Sequence, residues 1–179
     1  LTGKALGKPV WALLGEQVRD SCPLSVSIAN PDFDQDIELM QRLLADGIGM
    51  VKLKTGFRDD DFDVMRIETI RKEFPEFKLR IDYNQGLDSE TALKSVLKTL
   101  PFRPDFIEQP VISHDFDTMA TIRNAIDVPL LADESVYGPE DMKRALREGI
   151  CDGVSIKIMK SGGIRRGVET AEVAAAAGL

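Results

Sequence analysis

Histidine occurs once in this 179-residue chain and cysteine twice. With one imidazole and two thiols, zinc finds few of its preferred ligands, so a zinc centre is not expected. Cys22 and Cys151 are too few for a disulfide framework, and a reducing, cytoplasmic compartment is expected. Long apolar runs are missing too: none approaches the roughly 18–20 residues of a membrane helix. No basic stretch precedes an apolar one, as it would in a secretory leader. Positive charge is in deficit, with 23 Lys+Arg against 30 Asp+Glu and a formal charge of −7. That balance argues against nucleic acid as the main partner, because phosphate contacts need clustered cations. What remains is 43% hydrophobic and 30% charged residues, the composition of a folded domain with a sizeable core.

The sequence opens at Leu1, without Met, in what reads as a helix already under way, and closes on Ala-Gly-Leu with no polar tail. It reads as a segment of a longer chain. After a first helix ending near Leu14-Gly15, extended stretches are expected at 24–29, 50–54, 78–82, 105–108, 130–133 and 153–157. Helical stretches alternate with them at 34–46, 59–74, 88–100, 115–126, 139–149 and 163–177. Gly47, Pro75, Pro101 and Gly149 supply stop signals, while Ser89 and Pro139 suit helix starts. Units recurring every 24–30 residues imply parallel strands with crossover helices. Six units favour a (β/α)8 TIM-type barrel or a doubly wound sheet. A complete barrel needs eight units in about 250 residues, so 1–179 is read as a partial barrel domain, six eighths of one. The acidic run Asp59-Asp60-Asp61, with Asp63, suits a helix N-terminus. It is not a calcium loop, since its sixth and twelfth positions are Val64 and Ile70 where Gly and Glu are required.

The residues closing five successive strands are Lys54, Asp82, Glu108, Asp133 and Lys157, at intervals of 28, 26, 25 and 24. Each interval is one strand–helix unit, so a barrel brings all five side chains to its C-terminal rim. Charges there are costly unless they pair or bind something. Three facing carboxylates suit a hard dication with oxygen ligands, Mg²⁺ first and Mn²⁺ as the near alternative. Lys52 shares a face with Lys54, and two neighbouring ammonium groups near a dication are expected to lower a lysine pKa toward neutrality. Lys157 approaches from the opposite side. A metal flanked by lysines suits removal of a proton beside a carboxylate, with stabilisation of the enediolate that results. Arg80 is a possible partner for Asp82, while His114 and Lys160 read as solvated loop residues. Ser161-Gly162-Gly163 reads as a tight turn rather than a phosphate cradle.

Five motifs carry a resemblance to a known family. They are Lys52-Leu53-Lys54, Asp82-Tyr83-Asn84, Ile107-Glu108-Gln109-Pro110, Ala132-Asp133-Glu134-Ser135 and the run from Lys157 to Gly163, joined by the opening Gly3 to Pro9 and Leu13-Leu14-Gly15. Over nearly its whole length the sequence resembles the enolase superfamily, and within it the muconate-lactonizing (muconate cycloisomerase) subgroup of the mandelate racemase/muconate lactonizing enzyme family. The resemblance implies Asp82, Glu108 and Asp133 as Mg²⁺ ligands, and Lys54 and Lys157 as an acid/base pair on opposite faces of a small carboxylate substrate. It implies Lys52 as electrostatic support, with Asn84 and Glu134 behind the ligands. The activity implied is a cycloisomerase acting on an unsaturated dicarboxylate through an enolate that a lysine protonates, in a homo-oligomer. Racemisation or epimerisation of an amino-acid derivative or dipeptide uses the same residues. Outside that class stand a Schiff-base aldolase acting through Lys157 and a barrel kept for binding alone. The family's N-terminal capping domain and last two barrel strands have no counterpart in this sequence. Strands one and six are then open edges, and these 179 residues by themselves are expected to be inactive.

Overall fold

Alternation along Met50-Val51-Lys52-Leu53-Lys54 decides which side of the sheet meets the helices. Val51 and Leu53 are fully buried, whereas Lys52 and Lys54 are partly exposed on the other face, as a period of two requires. The computed structural model describes residues 1–17 and 19–179 and extends this pattern over one sheet. Its strands are β1 (Val26–Ile28), β2 (Met50–Lys54), β3 (Lys78–Asp82), β4 (Phe106–Glu108), β5 (Leu130–Ala132) and β6 (Gly153–Val154). All neighbours are parallel and lie in chain order, with Lys54 opposite Asp82 and Asp82 opposite Glu108. A doubly wound sheet reverses its strand order at a switch point. This order has no reversal, and it is the order of a barrel.

The helices are α1 (Thr2–Leu6), α2 (Phe33–Ala45), α3 (Asp60–Glu73), α4 (Ala92–Thr99), α5 (Phe116–Ala125), α6 (Pro139–Glu148) and α7 (Ile164–Ala176). Helices α2 to α7 cover the sheet face that carries Ile28, Leu53, Leu79, Ile81, Ile107 and Leu130, each 0% exposed. At about 1.5–3 kcal/mol for each large apolar side chain, this layer supplies the main driving force for the fold. Helix starts follow local chemistry. Asp59 caps α3 by accepting from the Phe62 amide at 2.9 Å, Asp115 caps α5 through Thr118, and Pro139 opens α6. Gly149 ends α6 in the left-handed conformation, φ 65°. No helix among the described residues is long and apolar enough to cross a membrane.

Three expectations need correction. The opening helix is only Thr2–Leu6, because Gly7 turns left-handed and Pro9 leads into a separate 3-10 turn, Val10–Leu13. Helix α4 begins at Ala92 rather than near Ser89, since the Ser89 hydroxyl donates to Asp115 and the Asp88 side chain instead orders the turn at the Glu90 amide. Strand β6 stops at Val154, so Lys157 lies beyond it. Its only sheet partner, β5, ends at Ala132, and its other edge has no neighbour among the described residues.

Candidate active site

Past the last ladder pairs the chain turns, and the turns are locked to one another. The amides of Tyr83, Gln85 and Leu87 donate to the carbonyls of Glu108, Gln109 and Pro110, tying the end of β3 to the end of β4. Gly86 sits where a Cβ would come within 2.6 Å of the Gly56 carbonyl oxygen, so the β2 and β3 turns meet at a residue with no side chain. Asn84, Gln85 and Gln109 all take positive φ, an uncommon choice for residues with a Cβ and one that clusters at functional sites.

On this rim Asp82 and Asp133 are 0% exposed and Glu108 is 2% exposed. Leaving such carboxylates charged without partners costs several kcal/mol each, and four ammonium groups answer them. Lys52 Nζ lies 2.8 Å from Asp82 Oδ2 and 3.0 Å from Glu108 Oε2, bridging the two acids. Lys54 Nζ reaches the same Asp82 oxygen at 2.6 Å and Asn84 Oδ1 at 2.5 Å. Asp133 receives Lys157 on one oxygen and Lys160, at 2.7 Å, on the other. Asn84 also donates to Glu134 at 3.2 Å, so both expected supporting residues join the cluster.

The charges at the rim shift one another. Burial alone would lower the Lys52 ammonium, but the Asp82 hydrogen bond and the charge of Glu108 outweigh it, leaving Lys52 above the usual lysine value. Lys157 is raised in the same way: burial opposes, and Asp133 prevails. In both cases the carboxylate partners decide the sign. Burial pushes Glu108 above the normal glutamate range, reinforced by Asp82 and only partly offset by Lys52. Burial acts against Asp133 as well, yet its hydrogen bonds from Lys157 and Lys160 hold it below the usual aspartate value.

Two further assignments change. Arg80 does not pair with Asp82. The register sets it beside Lys52 and Phe106, with its guanidinium 5.0 Å from the Phe106 ring centroid. Lys160 is no solvated loop residue: its side chain is 8% exposed, and it binds Asp133 and the Ser155 carbonyl at 2.9 Å. The turn after β6 folds it back under the rim, and only its position three residues after Lys157 hinted at that. His114 is exposed, as expected, and Cys22 and Cys151 are free thiols, the first exposed and the second buried.

Among the described residues, no three His, Cys, Asp or Glu side chains converge closely enough to enclose a metal, because lysines stand between the acids. The donor set nevertheless suits a hard cation, being carboxylate oxygen throughout. Glu108 Oε1 and Glu134 Oε2 are buried with no hydrogen-bond partner among the described residues. Such orphaned oxygens call for an explanation, and an ion is one.

Comparison with known proteins bears on the family and the fold. A family model described as enolase C-terminal domain-like matches residues 35–179. The solved muconate cycloisomerase of Azorhizobium caulinodans is 42% identical with a TM-score of 0.92, over 99% of this chain and 50% of that one. The N-succinyl-L-Arg/Lys racemase of Bacillus cereus is 33% identical over 100% of this chain and 49% of its own length. A dipeptide epimerase of Cytophaga hutchinsonii, solved in complex with Mg and the dipeptide D-Ala-L-Val, is 28% identical with a TM-score of 0.88, over 94% of this chain and 46% of that one. The chain therefore spans about half the length of the curated relatives it matches.

Proposed function

This chain belongs to the enolase C-terminal domain-like family, and from that premise we propose that it carries the acid–base site of a Mg²⁺-dependent isomerase of the muconate-lactonizing type, acting on an unsaturated dicarboxylate. The observation that carries the reading is the placement of Lys54 at the end of β2 and Lys157 beyond β6, from opposite ends of the sheet, around acids on β3 and β4 and just after β5. Asp82, Glu108 and Asp133 are the residues that would hold Mg²⁺. When bound, the ion supplies Lewis-acid stabilisation of negative charge developing on the substrate carboxylate. Lys54 and Lys157 each present an Nζ from which a proton is delivered to, or accepted from, the carbon beside that carboxylate. Lys52 adds positive charge on the Lys54 side, and Asn84 holds Lys54 toward Asp82.

Two flanking lysines serve 1,1-proton transfer equally well, one taking the proton and the other returning it to the opposite face. The likeness to an N-succinyl amino-acid racemase, over the whole of this chain and about half of that protein, supports that second reading. A Schiff-base aldolase would use Lys157 alone and leave the three acids without a task, and the Lys157 ammonium is engaged by Asp133. The test follows the full-length protein with Mg²⁺ in D₂O by proton NMR, on cis,cis-muconate and on a panel of N-acyl amino acids and dipeptides. Singly deuterated muconolactone is expected. Deuterium at the α-carbon of both stereoisomers of an amino-acid derivative would replace the lactonizing reading with racemisation. Turnover that persists in EDTA would sink the metal-dependent mechanism.

A further inference from the structure

The motif Glu108-Gln109-Pro110 contains a residue that the acid–base chemistry does not use. Gln109 is 0% exposed and sits at φ 36°. Its main chain closes the rim in both directions: its amide donates to the Leu131 carbonyl at 3.0 Å and its carbonyl accepts from Gln85 at 2.8 Å. The first of these is the last main-chain bond from β4 to β5 among the described residues. Beyond it the side chain takes over. Gln109 Oε1 accepts from the amides of Asp133 at 2.9 Å and Ser135 at 3.1 Å, while Nε2 donates to the Val111 carbonyl and the Ser135 hydroxyl, both at 2.9 Å. Only a primary amide offers a double acceptor and a double donor together. Glutamate keeps the first and loses the second, and methionine has neither. The uncommon φ directs this side chain along the ladder, and the saturated hydrogen bonding over-determines it.

We infer that Gln109 is the positioning residue that fixes Asp133 relative to Glu108. It stands next to Glu108 in the chain and clamps the Asp133 amide, extending the β4–β5 ladder one step past its last backbone pair. The spacing of two carboxylates is thereby set by one side chain that touches neither of their oxygens. Its consequence for cation binding rests on the proposed role of those acids, but its consequence for the backbone does not.

The experiment separates the two, using the full-length protein. Gln109→Asn is the informative variant: asparagine tolerates positive φ, but it is one methylene too short to reach Asp133. Without added metal, peptides spanning residues 131–136 are expected to exchange amide hydrogen about ten-fold faster than in the parent, in a protein that still unfolds cooperatively at a lower thermal midpoint and whose α2 and α3 peptides keep slow exchange. With Mn²⁺ as the probe, followed by electron paramagnetic resonance, the dissociation constant is expected to rise about 10–100-fold. Gln109→Glu, which keeps the acceptor for Asp133, returns both readings toward the parent. Ser135→Ala removes only the hydroxyl end and leaves the 131–136 exchange unchanged. Parental exchange in a folded Gln109→Asn protein overturns the inference. So does fast exchange of the Asp133 or Ser135 amide in the parent, which needs no variant at all. A parent that binds no Mn²⁺ overturns the metal reading instead, and the exchange result then decides Gln109 by itself.

Discussion

Asp63→Ala is expected to lower the unfolding free energy by about 3–5 kcal/mol, the characteristic loss when one partner of a buried ion pair is removed. Arg66 is wholly buried and Asp63 nearly so, with Arg66 NH2 2.6 Å from Asp63 Oδ1. The same guanidinium donates to the Lys54 carbonyl at 2.8 Å, and Asp63 takes the Gly56 amide at 2.8 Å. Phe57 and Phe62 flank the cation at 4.9 and 4.6 Å. Arg66 Nε and NH1 have no hydrogen-bond partner among the described residues, so the aspartate is the single compensating charge in contact with it. Burial nevertheless holds the Asp63 carboxyl above the ordinary aspartate value, against the Gly56 amide and Arg66, so the pair is expensive to bury even when formed. Removing both charges together, as Asp63→Leu with Arg66→Met, is therefore expected to restore more than half of the loss. Full recovery is blocked because the Gly56 amide and Lys54 carbonyl lose partners worth about 1 kcal/mol each. Urea unfolding of the two single variants and the double variant measures this. Additive losses would show that the two residues do not act as a pair, and a cost for Asp63→Ala below about 1 kcal/mol would show the site to be wet. Against a total stability of about 5–15 kcal/mol, the single change is among the largest available outside the rim.

The parts of this molecule that could be read from sequence are those where one period dominates. β2 and β3 fall at 50–54 and 78–82 as expected, because apolar and charged residues alternate over Val51–Lys54 and Lys78–Asp82. The helices α2, α3, α5, α6 and α7 begin and end within a residue or so of expectation, since aspartate caps, Pro139 and Gly149 act through local chemistry. Where tertiary contacts compete with local signals, the reading fails. Ser89 looks like a cap, but its hydroxyl is drawn to Asp115 on a neighbouring element. β6 looks five residues long, but a strand lasts only as far as its neighbour does. The rim is legible as a spacing of charges, which marks the ends of β2, β3 and β4 and the turns after β5 and β6, but not the pairings between them. Arg80 and Lys160 both depart from the roles expected of them for this reason. Two residues apart on a strand guarantees a shared face, not a contact, whereas a loop lysine three residues past a strand end is free to fold back onto it. Gln109 carried no signal at all beyond its place in a motif, because its importance lies in four side-chain hydrogen bonds to residues up to 26 positions away.

Lys54→Met and Lys157→Met should each reduce kcat by about 10²–10⁴-fold while leaving the fold intact, the loss typical of a positioned acid or base. Loss of fold would otherwise be the simple explanation of lost activity, and the pairing at the rim argues against it. Without Lys54, buried Asp82 keeps Lys52 at 2.8 Å, and without Lys157, buried Asp133 keeps Lys160 at 2.7 Å. Each acid retains one ammonium partner, so neither variant strands a buried charge. Lys52→Met is different in kind. It removes the only partner of Glu108 Oε2 among the described residues while Oε1 already has none, so the unfolding midpoint should fall together with kcat. Circular dichroism melts and steady-state rates on the three full-length variants therefore separate the two lysines proposed for proton transfer from the one proposed as support. The D₂O experiment then assigns the faces. In a lactonizing enzyme, loss of the protonating lysine leaves the enolate without its donor, so lactone formation stops or deuterium enters from both faces, while loss of the other lysine slows turnover and leaves the deuterated face unchanged. In a racemase, each variant continues to exchange the α-hydrogen of one stereoisomer and loses exchange of the other, in mirror fashion. Two well-folded variants turning over at the parental rate would remove both lysines from the chemistry.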